Sequence, residues 1–316
     1  MLLSIILVNY NTANHIKECL KSLEKFLKID NSEIIVVDNH SSNRDIEKLV
    51  EAFPEVNFIF RGINDGFGGG CNEGVKHSSG KYLLFLNPDI KIFDNSISVL
   101  FEFIQNNEEA GVISGLLVNT DNSIMYSFNH FINLKWEFLQ MIGFGYELEL
   151  KNLINRKEIK ENNIFEVDWF HGAFLMMRRK DFDAVKGLND KYFMYYEDTE
   201  ICYRIKYSLN KKNYCLPSVK VYHHTQSSLK DEKMDNIYTF HMNRGKILFS
   251  ENLSLIKRFA IKTMGFISVL QRIIFLPFQK KYSGMKKEKF CQLINVLKLY
   301  LSKSYLKTEK FKYVNV

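Results

Sequence analysis

The chain has 316 residues, of which 46% are apolar and 25% are charged, and this composition is typical of one large globular domain with an appendage. Its five cysteines are scattered and form no Cys-x-x-Cys pair, which argues against a zinc site or a disulfide framework and favours a reducing, cytosolic compartment. The net charge of +7 is uneven, because residues 251–316 carry +11 and residues 1–250 carry about −4. We therefore expect a boundary near residue 250.

The N-terminal part alternates strands with helices. Residues 2–8 predict a first strand, and this run is too short for the apolar region of a signal peptide. A helix follows, with apolar residues at helical spacing: Ile16, Cys19, Leu20, Leu23 and Leu27. Residues 34–37 predict the second strand of a βαβ unit, so the fold class is α/β. The carboxyl edge of this unit collects Tyr10, Asp38 and Asn39.

Asp38 and a glycine-rich segment mark the next two strand exits. A carboxylate at the tip of the second strand can accept hydrogen bonds from a ribose or a base edge, or it can cap the next helix. A third strand, residues 56–60, leads into residues 61–74, whose glycines indicate close backbone approach to a ligand at a helix N-terminus. A nicotinamide fingerprint would instead follow the first strand, so this loop does not match it.

The short apolar run at residues 82–86 predicts a strand buried on both faces. Pro88 cannot continue a central strand, so the chain leaves the sheet there. Asp89 then stands past the carboxyl end of a parallel strand, where open α/β sheets bind their ligands. We predict that Asp89 holds a divalent cation against a diphosphate; alternatively, it closes a turn or caps the helix that begins near Ser96.

Two further segments carry candidate site residues. Glu197 and Asp198 stand at a predicted helix start behind an aromatic run; the helix dipole alone would favour them, or Asp198 is a general base facing an aromatic-lined pocket. Residues 219–223 predict a strand that ends at His223 and His224. A lone histidine is usually structural, but near a candidate metal-binding aspartate it is a candidate ligand for Mn²⁺ and a less natural one for Mg²⁺.

Taken together, these motifs resemble glycosyltransferase family 2, specifically its rhamnosyltransferase-like branch. The matching segments, in order, are residues 4–11, 36–42, 64–74, 86–89, 172–179, 197–198 and 221–228. The resemblance implies a GT-A fold, which is a Rossmann-like mixed sheet flanked by helices, and inverting transfer from a nucleoside diphosphate sugar. It also implies a nucleotide-sugar half at about 1–115 and an acceptor half at about 116–250.

The resemblance implies roles for single residues. Asp38 and Asn64 would contact the nucleoside, Asp89 and His223 would hold Mg²⁺ or Mn²⁺, and Asp198 would be the catalytic base. The further implied donor contacts are Val8, Tyr10, Asn39, Gly68, Asn87 and Pro88, and the implied acceptor contacts are Trp169, His171, Gly172 and Glu197. The family's DXD element is Asn87-Pro88-Asp89 here, so its first acid is missing.

The candidate residues are sufficient for sugar transfer by direct displacement, independently of the resemblance. One displacement needs a base for the acceptor hydroxyl, supplied by Asp198, and a cation on the leaving diphosphate, anchored by Asp89. The two acids must therefore meet at one site. The expected donor is linked to dTDP or UDP, with rhamnose a candidate beside galactose, glucose or an N-acetylated sugar, and the expected acceptor is a saccharide or is lipid-linked. The alternative is a nucleotide-sugar-binding protein without turnover.

Residues 251–316 predict a basic, amphipathic helical tail. Gln271-Arg272 and Pro277 interrupt its apolar clusters, so we expect no span of the ~20 residues needed to cross a bilayer. The flanking lysines suit an anionic membrane surface, at the inner face of the cell membrane. The alternatives are a helical pair packed on the catalytic domain or an oligomer contact. The acidic residues 1–250 and the apolar tail argue against nucleic-acid binding.

Overall fold

The computed structural model describes residues 2–224 and 232–306, so residues 225–228 of the last predicted motif lie outside the described residues. The described chain forms two compact units. The first unit comprises residues 2–131, 153–193 and 197–224, and the second comprises residues 132–152, 194–196 and 232–306. These units reflect packing alone, and the predicted functional division at residue 250 stays a prediction.

The first unit is built on a nine-stranded mixed sheet with the order β3-β2-β1-β4-β10-β6-β11-β5, and β8 pairs with β11. The strands are β1 Leu3–Asn9, β2 Ser32–Asp38, β3 Val56–Phe60, β4 Tyr82–Leu86, β5 Ile90–Lys91, β6 Ala110–Val118, β7 Phe128–Asn129, β8 Phe165–Val167, β9 Trp169–Phe170, β10 Phe174–Arg178 and β11 Lys212–His223. Strands β1 to β4 are mutually parallel, and β10 runs antiparallel to both β4 and β6. A separate two-stranded ladder joins β7 and β9.

Helices cover both faces of this sheet. The helices of the whole described chain are α1 Ala13–Phe26, α2 Glu47–Ala52, α3 Gly66–Lys76, α4 Ser96–Asn106, α5 Leu134–Met141, α6 Gly145–Ile154, α7 Lys157–Lys160, α8 Arg179–Ala184, α9 Glu197–Ser208, α10 Glu232–Phe249, α11 Leu255–Phe275, α12 Lys286–Leu301 and α13 Lys303–Leu306. Apolar side chains of α1, α2 and α4 form the core on one face, with Ile16, Leu49 and Leu100 fully or nearly fully buried. Those of α3, α8 and α9 form the core on the other.

The strand order places an edge where ligands can bind. The chain moves outward from β1 through β2 to β3 and then returns, so that β4 pairs with the opposite side of β1. Open α/β sheets bind their ligands at such a reversal, outside the carboxyl ends of the strands. The side chains of β1 are all buried, and those of β4 are buried after Tyr82, as predicted for strands covered on both faces. The polar residues that follow these strands therefore gather at one edge.

The second unit is helical and has its own apolar core. Its buried members are Phe240, Ile247, Val269, Leu276, Leu293, Val296, Leu299 and Leu306. The predicted interruption of the tail is wrong, because α11 runs unbroken for 21 residues and continues as a 3-10 turn at Leu276–Phe278. Pro277 stands in the first turn of that 3-10 segment, where its missing N–H costs little. By length and composition, the 24 residues of Leu255–Phe278 are long and apolar enough to cross a membrane.

Polar side chains of α10 form hydrogen bonds and ion pairs with other residues of the second unit. Asn243 accepts a hydrogen bond from the hydroxyl of Tyr300 at 2.6 Å, and Lys246 forms an ion pair with Glu137 at 2.8 Å. Burial, together with the charge of Glu137, raises the pKa of Tyr300, which keeps its hydroxyl protonated as a donor. These contacts give Asn243 and Lys246 a structural role.

The aromatic run before Glu197 also contributes to the second unit. Tyr195 and Tyr196 both adopt positive φ angles, of 66° and 73°. The ring of Tyr195 lies 5.1 Å from that of Tyr238, and the ring of Tyr196 lies 6.0 Å from that of Phe249. Positive φ is unusual for aromatic residues, and the contacts with α10 help to hold it.

Candidate active site

The first polar cluster lies where β4 leaves the sheet. A turn over residues 87–90 closes with a hydrogen bond from the amide of Ile90 to the carbonyl of Asn87, at 3.2 Å. The short strand β5 then pairs antiparallel with the end of β11, in a register that opposes Ile90 to His223. This pairing brings the carboxylate of Asp89 to 3.2 Å from Nε2 of His223.

Asp89 and His223 fit one side of a divalent metal site. Adjacent ligands on an octahedral ion, each about 2.1 Å from it, lie roughly 3 Å apart, which is close to the separation of this pair. Within residues 2–224 and 232–306, no group of three His, Cys, Asp or Glu side chains could hold a metal by itself. An ion bound here would take its other ligands from phosphate oxygens and water, as Mg²⁺ commonly does.

The electrostatics of Asp89 suit a cation ligand. Burial tends to raise the pKa of this carboxyl group, but the hydrogen bond and charge of His223 outweigh it, with a further contribution from His15. The net pKa lies below its usual value, so Asp89 is ionised at neutral pH, as a metal ligand must be. His15, on α1, was not among the predicted site residues, and no local motif in the sequence marks it.

Asp198 lies in the first turn of α9 and is only 8% exposed. Its Oδ2 accepts a hydrogen bond from the amide of Gly172 at 2.7 Å, and its Oδ1 accepts one from the amide of Thr199 at 2.6 Å. A Cβ atom at position 172 would lie 3.2 Å from the ring of Phe67 and 3.4 Å from Oδ2. Glycine therefore suits this position, where the backbone contacts the acid closely.

Hydrogen bonds connect the surroundings of the two predicted acids. The carbonyl of Ala173, the residue after Gly172, accepts a hydrogen bond from the amide of Asn87 at 2.9 Å. The backbone that holds Asp198 is thus bonded directly to the strand exit that carries Asp89. Although 109 positions separate them in the chain, the two carboxylates belong to one cluster at the carboxyl edge of the sheet.

His171 lies between these groups. Its ring centroid is 5.5 Å from that of His223, and the charges of both Asp198 and Asp89 act on it. Burial lowers the pKa of His171 despite the two carboxylates, so its ring is neutral at neutral pH. In the described part of the chain, Nδ1 of His171 and Nδ1 of His223 are buried without a hydrogen-bond partner. Such atoms are unusual in a folded protein and are available to a ligand or a water molecule.

Glu197 is buried beside Asp198, with 4% of its surface exposed. Its Cβ and Cγ lie 3.8 Å from where a Cβ of Gly68 would be, so this side chain packs against the first turn of α3. Burial and the charge of Asp198 raise the pKa of Glu197 well above its usual value. The raised pKa favours the protonated form of Glu197, and its predicted role with the acceptor stays a prediction.

A second polar cluster joins the exits of β1 and β2. Oδ1 of Asp38 accepts hydrogen bonds from the side-chain amide of Asn9 and from the hydroxyl of Ser41, each at 2.6 Å. Its Oδ2 accepts one from the backbone amide of Ser41 at 3.0 Å. Helix α2 begins only at Glu47, so Asp38 orders a turn and does not cap that helix. Asn9 was missing from the predicted set, although its place after the first apolar run was a usable signal.

Asn39 extends this cluster to the end of β3. Its side-chain amide donates to Oδ1 of Asn64 and to the carbonyl of Gly66, both at 2.9 Å, and its Oδ1 accepts from Arg61 at 2.6 Å. Arg61 also pairs with Asp65, at 2.9 Å. A guanidinium group is therefore bonded to Asn39, which was predicted to contact the nucleotide. The sequence offered no signal for Arg61 except its position directly after a strand.

Two glycines permit the close packing of α3. Gly66 has a φ of +92°, and a Cβ there would lie 1.7 Å from the carbonyl oxygen of Phe193, which accepts a hydrogen bond from the amide of Phe67. A Cβ at Gly70 would lie 2.6 Å from Cγ1 of Val8. The helix can therefore sit directly on β1, which buries the side chain of Val8.

The remaining predicted residues lie near the same edge or on the β7–β9 ladder. Tyr10 and Pro88 are half-buried and follow β1 and β4. The indole N–H of Trp169 donates to the carbonyl of His130 at 3.0 Å, and its ring meets that of Tyr126 edge to face at 6.1 Å. Their predicted contacts with donor and acceptor stay predictions.

Comparison with known proteins identifies the family. Residues 4–186 match the family described as Glycosyl transferase family 2. The Low-salt glycan biosynthesis hexosyltransferase Agl10 of Haloferax volcanii is 26% identical over 286 residues, which is 88% of this chain and 86% of that protein. Rhamnosyltransferase WbbL of Escherichia coli is 28% identical over 212 residues, with coverages of 64% and 75%. The N-acetylglucosaminyl-diphospho-decaprenol L-rhamnosyltransferase of Mycobacterium tuberculosis is 24% identical over 251 residues, with coverages of 76% and 81%.

Solved structures agree on the fold. The mannosyltransferase PcManGT from Pyrobaculum calidifontis, in complex with GDP-Man and Mn²⁺, has a TM-score of 0.57 and 12% identity over 97% of this chain and 88% of that chain. Residues 1–349 of TarS from S. aureus give a TM-score of 0.51 and 15% identity over 95% and 91%. These likenesses concern the fold alone, and they confirm the predicted GT-A architecture. The chain belongs to glycosyltransferase family 2, and its relatives include rhamnosyltransferases.

Proposed function

We propose that this glycosyltransferase inverts the anomeric centre of a sugar as it moves that sugar from a nucleoside diphosphate to a saccharide or lipid-linked acceptor. The observation that carries the proposal is the single hydrogen-bonded cluster that contains Asp89, His223 and Asp198. Rhamnose is the first candidate sugar, because two relatives are named as rhamnosyltransferases. The name of the mycobacterial relative also supports a lipid-linked diphosphate acceptor.

The proposed leaving-group site consists of Asp89 and His223. These residues would hold Mg²⁺ or Mn²⁺, and such an ion would neutralise the charge that develops on the departing diphosphate. The support within the structure is the 3.2 Å separation of the two candidate ligand atoms. The structure of PcManGT, which shares this fold, contains Mn²⁺ with its sugar nucleotide.

The proposed base is Asp198. In a single displacement, the acceptor hydroxyl attacks the anomeric carbon, its proton passes to a carboxylate oxygen of Asp198, and the bond to the diphosphate breaks. Hydrogen bonds from Gly172 and Thr199 fix the orientation of this carboxylate. Burial and the charge of Asp198 raise the pKa of the neighbouring Glu197, which favours its protonated form and disfavours it as the base. One carboxylate is sufficient, because inversion in a single step needs no covalent intermediate.

The proposed donor site is the second polar cluster, at the ends of β1, β2 and β3. Asp38 and Asn64 would contact a uridine or thymidine nucleoside. The turn held by Asp38 and the bond from Asn39 to Asn64 support this proposal, because they fix these groups before a ligand arrives.

Residues from about 116 to 250 would form the acceptor side of the site. The proposed location of the protein is the cytoplasmic face of the cell membrane.

A panel of sugar nucleotides tests this function. The protein is incubated with dTDP- and UDP-linked sugars and Mg²⁺ or Mn²⁺, with and without a polyprenyl-diphosphate-linked N-acetylglucosamine, and nucleoside diphosphate release is measured. The proposal expects release that depends on the acceptor and on the metal, with a product of inverted anomeric configuration. Tight nucleotide binding without turnover of any donor would instead indicate a non-catalytic binding protein, and a retained configuration would exclude the single displacement.

A further inference from the structure

The surface of α11 and the turn after it displays large apolar side chains. The most exposed are Leu255 at 80%, Ile256 at 80%, Phe259 at 74%, Ile274 at 56%, Phe275 at 58% and Phe278 at 80%. Single exposed apolar residues are common on protein surfaces, but several on one helix usually mark an interaction site. No comparable series occurs on the described helices of the first unit.

These side chains form a stripe opposite to the packed face of the helix. Members at positions 255, 259, 267, 270, 274 and 278 recur at helical spacing. The other face packs within the second unit, where Ile261 and Val269 are buried. A Cβ at Gly265 would lie 2.4 Å from the hydroxyl of Tyr300, which shows how closely α11 meets α12.

Cationic residues border the stripe. At 100° per residue, Lys257 and Lys262 lie on either side of the apolar sector, whereas Arg258 and Arg272 fall on the packed side of the helix. Residues 251–306 together carry 11 lysines and arginines against two glutamates, a net charge of +9. An uncharged apolar stripe with basic flanks is the pattern of a helix that lies on an anionic lipid surface.

We propose that this face of α11 inserts into the headgroup region of an anionic lipid bilayer, with the helix axis parallel to the membrane plane. The proposal goes beyond the glycosyl transfer proposed above and does not depend on it. The apolar side chains would supply insertion, and the flanking Lys257 and Lys262 would contact acidic headgroups.

Two other occupants of the stripe fit less well. A spanning arrangement would carry Lys262 and Arg272 into the hydrocarbon, together with the lysines of α12, which meets the opposite face of α11. A second copy of the chain would form a twofold contact in which the same patch meets itself. Its basic borders would then face each other, and like charges at an interface are costly.

Vesicle sedimentation of the full chain tests the proposal. Phosphatidylcholine vesicles are compared with vesicles of equimolar phosphatidylcholine and phosphatidylglycerol, at low and high salt. The anionic vesicles should bind the protein, and salt should weaken that binding. The double variant Ile256→Ser, Phe259→Ser should bind at least about tenfold more weakly, since each side chain loses the burial of a large apolar group. Both residues are mostly exposed, so the fold should survive, which a thermal melt verifies.

The matched control is Phe144→Ser, Ile164→Ser, which removes one exposed phenylalanine and one exposed isoleucine outside α11. It should bind like the parent. The proposal is overturned if neither vesicle binds the protein, if the α11 variant binds as well as the control, or if the bound protein resists alkaline extraction as a spanning protein does. A stable dimer in solution that the α11 variant converts to a monomer would also overturn it and assign the stripe to a second copy.

Discussion

The two compact units distribute their apolar and polar residues in opposite ways. In the first unit, β1 and β4 are buried almost completely, and polar side chains gather where the strands end. In the second unit, α11 buries only one narrow face and leaves most of its large apolar residues outside. The first arrangement holds a few groups in fixed positions, as chemistry requires. The second offers a broad, sequence-tolerant surface, which suits attachment.

This contrast predicts that glycosyl transfer depends on the first unit and that membrane attachment depends on the second. Changes at the sheet edge should alter turnover or nucleotide binding and leave vesicle binding as it is, whereas changes on α11 should do the reverse. Vesicle binding is therefore measured for every sheet-edge variant below as well, and it should match that of the parent. Substitutions that altered both properties at once would show that the two functions are not divided between the units.

The largest effect is expected from Asp198→Asn. The amide keeps the shape of the side chain but cannot take up the acceptor proton, so kcat should fall by about 10²–10⁴. Binding of the nucleoside diphosphate and vesicle binding should match the parent. The measurements are steady-state turnover with the best donor of the panel and calorimetric titration with the nucleoside diphosphate.

Glu197→Gln is the matched control for that variant. It makes the same acid-to-amide change one position away, at a carboxyl group whose raised pKa favours the protonated form. Its turnover should fall far less than that of Asp198→Asn. Normal turnover by Asp198→Asn, or a loss in Glu197→Gln as large as in Asp198→Asn, would reject the assignment of the base.

A smaller effect is expected from Asp89→Ala. Loss of one of two protein ligands should weaken binding of UDP or dTDP in the presence of Mn²⁺ by about 10–100-fold, the range seen when support for a metal site is removed. With a chelator in place of Mn²⁺, parent and variant should bind UDP or dTDP equally well, because the substitution removes only the metal-dependent part of the binding free energy. Titration calorimetry with and without the metal measures both quantities.

Asp94→Ala serves as the control for Asp89→Ala. Asp94 is an aspartate of the same segment, but its carboxylate accepts hydrogen bonds from the amide and hydroxyl of Ser96 at the start of α4. This variant should lose some stability and keep its nucleotide affinity. Equal affinity of Asp89→Ala and its parent in Mn²⁺ would remove Asp89 from the metal site.

Much of the first unit was predictable because local pattern and global burial agree there. The apolar run before Pro88 could only be a buried strand, and the stripe through Ile16 and Leu23 could only cover a sheet. Strand exits then located Asp38 and Asp89 without knowledge of the strand order. The sequence left open whether Asp89 caps the helix near Ser96, and the structure shows that Asp94 accepts the hydrogen bonds of Ser96 instead.

The parts that the sequence did not reveal depend on contacts between distant segments. His15 and Arg61 became neighbours of the candidate site only through packing of α1 and the pairing of β3 with β2. In the tail, Arg272 and Pro277 were taken as breaks in an apolar helix. A single arginine can point away from an apolar stripe, and a proline in the first turn of a 3-10 segment needs no N–H partner, so the helix continues.

The smallest effect concerns stability and is expected from Asp168→Asn. Asp168 accepts hydrogen bonds from Lys206 at 2.6 Å and from the amide of Phe131 at 2.9 Å. Burial tends to raise the pKa of Asp168, but His130, Lys206 and this amide lower it from 3.8 to about 2. The variant should therefore lower the free energy of unfolding by about 1–2 kcal/mol at neutral pH, after allowance for solvent screening.

The pH dependence of that loss gives the decisive measurement. A depressed carboxyl pKa stabilises the folded state above the ordinary value of 3.8, and the contribution disappears as the pH falls towards about 2. Urea unfolding of Asp168→Asn and its parent should therefore differ at neutral pH and converge in acid. Glu166→Gln is the control, since Glu166 binds the same Lys206 at 2.7 Å from a more exposed position and should matter less. Turnover and vesicle binding of both variants should match those of the parent. A difference in the free energy of unfolding that persists unchanged at low pH would show that the charge of Asp168 is not what stabilises this part of the first unit.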